Sequence, residues 1–153
     1  MPTLALNFSR PGAQVLLQYY NFLRLGREGY RRVMQASKDA ATYLAAELAK
    51  MDEFEVLTDG SDMPLVTWTS IGERQWDLYD LSAKLRERGW QVPAYPMPAN
   101  LQNVTVMRVV FRNGVSMDLT RMLIDDITSA LRFLEALPGR IPKTEASGTA
   151  FHH

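Results

Sequence analysis

Asn7 to Arg31 reads NFSRPGAQVLLQYYNFLRLGREGYR, and the remainder of the chain is organised around it. An extended approach through Phe8-Ser9-Arg10 meets Pro11, whose missing N–H suits the first turn of a helix. From there Val15, Tyr19, Phe22 and Leu23 share one helical face, and beyond the glycines Val33, Ala36, Ala40, Leu44, Leu48 and Met51 share another. The spacing predicts a helix running from Pro11 towards Met51. Gly26 and Gly29 interrupt it, and inside a helix each costs about 1 kcal/mol relative to Ala. They therefore predict a kink, or a close approach by another backbone.

Upstream, Thr3 to Phe8 is short and mostly apolar, as a strand or extended arm crossing a buried surface would be. Downstream, Phe54 to Thr58 and Leu65 to Ile71 read as two strands joined by the turn Asp59-Gly60-Ser61-Asp62. Asp77 is placed to cap a helix with Leu78, Leu81 and Leu85 on one face, ending at Arg88-Gly89. Trp90-Gln91-Val92 reads as a short strand, and Pro93, Pro96 and Pro98 as a stiff loop. Val104 to Phe111 is the clearest strand, with the turn Asn113-Gly114 after it. Ser116 then caps a long helix on which Leu119, Leu123, Ile127, Leu131 and Leu134 face one way, and Pro138-Gly139 stops it. This order predicts an α+β fold: a long N-terminal helix and a small antiparallel sheet with helices packed on one face. Gly139 to His153 has the composition of a mobile tail, yet it ends in Phe151-His152-His153.

The 153 residues suffice for one domain, and 46% apolar content can bury a core. Lys plus Arg equals Asp plus Glu, at 17 each, so no global charge points to nucleic acid or an anionic membrane. With no Cys there are no disulfides, zinc thiolates or Cys nucleophiles, which fits a cytoplasmic protein. No apolar run reaches the roughly 20 residues of a membrane-spanning helix, and Met1 to Leu6 is too short for a signal peptide. Neither GxGxxG, Walker A nor a metal-ligand cluster is present.

Arg108 is the most informative single residue. Period-two alternation places it on one strand face with Val104, Val106 and Val110, and a guanidinium among valines needs an anion to offset its desolvation. One reading is an internal ion pair with Asp77 or Asp80. The other is bidentate capture of a ligand carboxylate, which the planar guanidinium suits. His152 and His153 read either as the remains of an affinity tag or as a pH-sensitive tip, since imidazole changes charge at about pH 6 to 7. Trp68, Trp76 and the scattered methionines read as core filling.

Three segments resemble bacterial glutamate decarboxylases, the group II, fold type I enzymes that use pyridoxal 5'-phosphate (PLP). They are NFSRPGAQVLLQYYNFLRLGREGY, LYDLSAKLRERGWQVPAY from Leu78 to Tyr95, and VMRVVFRNG from Val106 to Gly114. A tail ending in Phe-x-His adds to them. The resemblance covers most of the chain and implies the C-terminal part of such an enzyme. Residues 1–10 would then be an arm from a large PLP domain, residues 11–138 the small C-terminal domain, and residues 139–153 the tail. It implies that Ser9 reaches the phosphate of a neighbouring subunit's PLP, where a helix N-terminus also favours anions. It implies that Arg108 holds the substrate's α-carboxylate. It further implies that Phe151 and His153 belong to a tail that plugs the active site at neutral pH and releases it in acid. In the family a residue follows that histidine and a lysine precedes it, whereas here His153 is last and His152 stands before it.

The lysines are Lys38, Lys50, Lys84 and Lys143, and none sits in the family's His-Lys motif. The Schiff-base lysine is therefore absent, no catalytic residue is assigned to this chain, and alone it is expected to be inactive. The implied whole is a cytoplasmic lyase, at least dimeric, that converts L-glutamate to 4-aminobutyrate and CO₂ and consumes a proton, as acid resistance requires. The implied partners are L-glutamate, the large PLP domain and a second subunit, with neither nucleic acid nor a membrane. Two alternatives stand beside it: the same domain of another amino-acid decarboxylase, and a stand-alone regulatory or dimerisation domain.

Overall fold

A computed structural model of the chain describes residues 12–141. Ser9, Phe151, His152 and His153, the arm at residues 1–10 and most of the tail lie outside the described residues. The chain divides into two compact units, Met1–Gln35 and Ala36–His153.

The first unit contains the beginning of α1 (Ala13–Leu48), which is kinked at Gly26, where φ is 55° and ψ is −173°. That combination is open essentially to glycine alone, so the kink predicted from sequence falls where the backbone needs Gly. Gly29 is helical, and a Cβ there would meet the Cβ of Leu25 at 2.9 Å, a crowding within the helix rather than an approach by another backbone. Glu28 takes both Arg31, at 2.8 and 2.9 Å, and Arg32, at 3.1 Å. Arg31 and then Arg32 hold its carboxyl below the usual range. The apolar side chains Val15, Leu16, Leu17, Tyr19, Tyr20, Phe22 and Leu23 are all between 58% and 70% exposed. The amphipathic face expected of this half is therefore not buried by the described residues.

The second unit holds the α+β layer expected from sequence. Its strands are β1 (Phe54–Asp59), β2 (Leu65–Ser70), β3 (Ala94–Pro96) and β4 (Thr105–Val110), and its later helices are α2 (Leu78–Glu87) and α3 (Met117–Glu135). The sheet is wholly antiparallel in the order β1-β2-β4-β3. Register aligns Val56 with Trp68 and Trp68 with Met107, and Met107 in turn with Ala94. These side chains, with Phe54, Val66 and Val109, form the face that packs with the end of α1, α2 and α3 in one core. Trp68, Leu44, Leu81 and Ile127 are completely buried there. Leu119, expected on the buried face of α3, is exposed.

Local chemistry explains the boundaries. In the β1–β2 turn the Asp59 carboxylate accepts from the Ser61 N–H at 2.9 Å, and Gly60 has φ 80°. A Cβ on Gly60 would come within 2.7 Å of the Ala41 Cβ, so this turn is pressed onto α1. Ser116 caps α3, its Oγ accepting from the Leu119 N–H at 3.2 Å. Asp77 caps α2 by accepting from the N–H groups of Tyr79 and Asp80, while the Asp80 carboxylate accepts from the Asp77 N–H at 2.9 Å. Asp77→Ala removes the carboxylate that accepts from the Tyr79 and Asp80 N–H groups and leaves both donors without it, so unfolding free energy should fall by about 1 to 2 kcal/mol. Urea denaturation followed by circular dichroism measures it, and a change below about 0.3 kcal/mol would show that the box is not stabilising.

One expected element is displaced. Trp90-Gln91-Val92 is not a strand, and the short strand lies instead at Ala94–Pro96, within the expected loop. Residues 90–92 are still engaged with α2: the Trp90 N–H donates to the Leu85 carbonyl at 3.1 Å and the Ser82 hydroxyl to the Val92 carbonyl at 2.6 Å. Pro96 is tolerated because β3 is an edge strand, where a missing N–H leaves no ladder bond broken on the open side.

Candidate functional site

The opposite face of the sheet carries Leu65, Thr67 and Thr69 of β2, Tyr95 of β3, and Val106, Arg108 and Val110 of β4. No helix contributes to the pairing that defines this face. Arg108 projects from it between neighbours on both sides: Thr67 is its directly paired residue on β2, and Tyr95 lies diagonally across on β3.

The alternation expected for β4 holds, with Arg108 on the face of Val106 and Val110. Its environment does not match the expectation. Arg108 is exposed and Val110 is 58% exposed, and the buried face of β4 is the one bearing Met107. The predicted ion pair with Asp77 or Asp80 does not form; those two carboxylates are engaged in the capping box. Among the described residues the Arg108 guanidinium has no ion-pair or hydrogen-bond partner, and Cζ lies over the Tyr95 ring, 5.5 Å from its centroid. An exposed cation without a carboxylate neighbour is chemically free to take one from a ligand.

Ser9, Phe151 and His153 lie outside the described residues, so the structure brings none of them to Arg108. Tyr95 was missed as a site residue because three prolines around it suggested a loop; the alternating exposure of Ala94 and Tyr95 becomes legible only once β3 is paired with β4. Among the described residues no cluster of His, Cys, Asp and Glu could hold a metal, and no helix is long and apolar enough to cross a membrane.

A separate polar cluster ties α2 to α3. Asp126 accepts from the Trp90 indole N–H at 2.7 Å and pairs with Arg88 at 3.0 Å, while Lys84 lies 3.8 Å from the Phe133 ring centroid. Each cation there already has a carboxylate or ring, which marks the cluster as structural.

Residues 1–70 match the pyridoxal-dependent decarboxylase conserved domain. The chain is 43% identical over its whole length to glutamate decarboxylase of Aliivibrio fischeri, spanning 34% of that protein. It is 39% identical over 97% of its length to glutamate decarboxylase beta of Listeria innocua, spanning 32% of it. Among solved structures, Lactobacillus brevis glutamate decarboxylase superposes with a TM-score of 0.81 at 40% identity, covering 90% of this chain and 32% of that one. A sphingosine-1-phosphate lyase of Burkholderia pseudomallei shares the fold, with a TM-score of 0.66 at 20% identity. The chain thus spans about a third of the curated relatives it matches, and the match lies in their C-terminal part.

Proposed function

We propose that this chain, a homologue of the C-terminal part of bacterial glutamate decarboxylases, is the small domain of such an enzyme, and that Arg108 supplies the guanidinium that binds the α-carboxylate of L-glutamate. The observation that carries the reading is the exposed, carboxylate-free Arg108 on the sheet face opposite the core, in a chain that aligns over its whole length with about a third of Aliivibrio fischeri glutamate decarboxylase. The reaction releases CO₂, yields 4-aminobutyrate and takes up one proton per turnover, which suits acid resistance in the cytoplasm.

The described residues do not fit covalent attachment of PLP. Lys38 stands exposed on α1, Lys50 is bound to Glu47 at 2.6 Å, and Lys84 is bound to Glu87 at 2.7 Å. None lines an enclosed polar site. The lysine must come from residues without a counterpart here, as must most of the glutamate side-chain pocket. The exposed apolar residues of the first half of α1 suit burial against the remaining two-thirds of the decarboxylase subunit, and Ser9 is proposed to serve a neighbouring subunit's PLP phosphate in at least a dimer.

Phe151 and His153 are proposed to act in a tail that closes the site. Neutral imidazole can be buried and imidazolium resists burial, so closure holds above the imidazole pKa and is lost as pH falls through it. Deleting Thr149 to His153 in the full-length enzyme should therefore preserve activity above about pH 6, where the intact enzyme shuts off. A truncated enzyme that shuts off at the same pH would remove the tail from the switch.

A further inference from the structure

We infer that Tyr95 is a positioning residue for Arg108, holding the guanidinium by its π face so that the N–H edge is presented to the substrate carboxylate. The inference rests on the reading of Arg108 given above. A long exposed side chain on a sheet face samples many rotamers, and a carboxylate clamp needs one of them. The ring supplies the restraint: Cζ lies 5.5 Å from its centroid, within the roughly 6 Å range of cation–π attraction.

The ring is itself held. Tyr95 is half-buried and paired across strands with Val106, which is fully buried. The strand beneath it is tied at both ends, by the Ser82 hydroxyl to the Val92 carbonyl at 2.6 Å and by the Met97 N–H to the Val104 carbonyl at 2.8 Å. On the other side Arg108 is paired across strands with Thr67, a short side chain, and is itself exposed.

Ring contact and carboxylate binding do not compete. Arg108 Cζ lies over the Tyr95 ring, and an approach through one face of the guanidinium plane leaves the in-plane N–H donors for bidentate binding. Among the described residues the Tyr95 hydroxyl makes no hydrogen bond, so the role belongs to the ring.

The test is steady-state kinetics of the full-length decarboxylase with glutamate, for Tyr95→Phe, Tyr95→Leu, Arg108→Ala and the Tyr95→Leu/Arg108→Ala pair. Tyr95→Phe should keep kcat/KM within about twofold, and Tyr95→Leu should raise KM about fivefold with kcat kept within about twofold. In the Arg108→Ala background Tyr95→Leu should cause no further loss, because the group it positions is gone. Tyr95→Met, which keeps bulk over Val106, replaces Tyr95→Leu if the latter does not fold. Wild-type kinetics in Tyr95→Leu, equal impairment in Tyr95→Phe, or losses that multiply in the double variant would each overturn the inference. An Arg108→Ala enzyme with unchanged kcat/KM would instead overturn the carboxylate reading of Arg108 itself.

Discussion

Arg108→Ala should lower kcat/KM for glutamate by a factor on the order of a hundred in the full-length decarboxylase, while Tm should stay within about 1 °C. The kinetic magnitude follows from what the guanidinium would hold. Removing one partner of a desolvated, hydrogen-bonded charge pair costs about 2 to 5 kcal/mol, and each 1.4 kcal/mol is about tenfold. The stability half of the result follows from the geometry. Arg108 is exposed, and among the described residues it gives up only the contact with Tyr95, worth about 0.5 to 1 kcal/mol at such a site. Arg108→Lys keeps the charge and loses the fork, so it should fall between Ala and wild type. A kcat/KM within twofold of wild type in Arg108→Ala would take Arg108 out of the substrate site.

The same residue shows how far the sequence could be read. Period two in Val104 to Phe111 correctly grouped Arg108 with Val106 and Val110. It could not say which face of the strand the helices cover, because both faces carry apolar side chains. The core took Met107 and Val109, and the guanidinium was left outside. The capping residues Asp77 and Ser116 were legible because capping is a local exchange of hydrogen bonds, complete within four residues. The shift of the short strand from residues 90–92 to Ala94–Pro96 was not, because it depends on bonds to Leu85 and Ser82 and on β3 lying at the sheet edge. The face of Val15, Tyr19, Phe22 and Leu23 was legible as apolar, but periodicity does not say which surface covers it. Ser9 and His153 rest on the family resemblance alone, since neither their spacing nor the described residues connect them to Arg108.

Trp68→Ala should cost about 3 to 5 kcal/mol of unfolding free energy, a large share of the roughly 5 to 15 kcal/mol of an ordinary domain. Trp68 sits in the central strand β2 with no exposed surface, between Val56 of β1 and Met107 of β4, and its ring meets Phe54 edge-on at 6.3 Å. Truncation removes the contacts of all three neighbours at once, and the paired strands cannot close over the gap without breaking register. A second effect runs the other way: the Trp68 indole N–H is buried and has no hydrogen-bond partner among the described residues. An unsatisfied buried donor costs about 1 to 3 kcal/mol, and Phe carries no such donor. Trp68→Phe therefore loses part of the ring volume but relieves that cost, and should fall within about 1.5 kcal/mol of wild type. Urea midpoints of the two variants separate the effects. If Phe destabilises as much as Ala, the indole N–H is satisfied in solution and volume alone does not govern the site; if Ala costs less than about 1.5 kcal/mol, the sheet is able to collapse around Trp68.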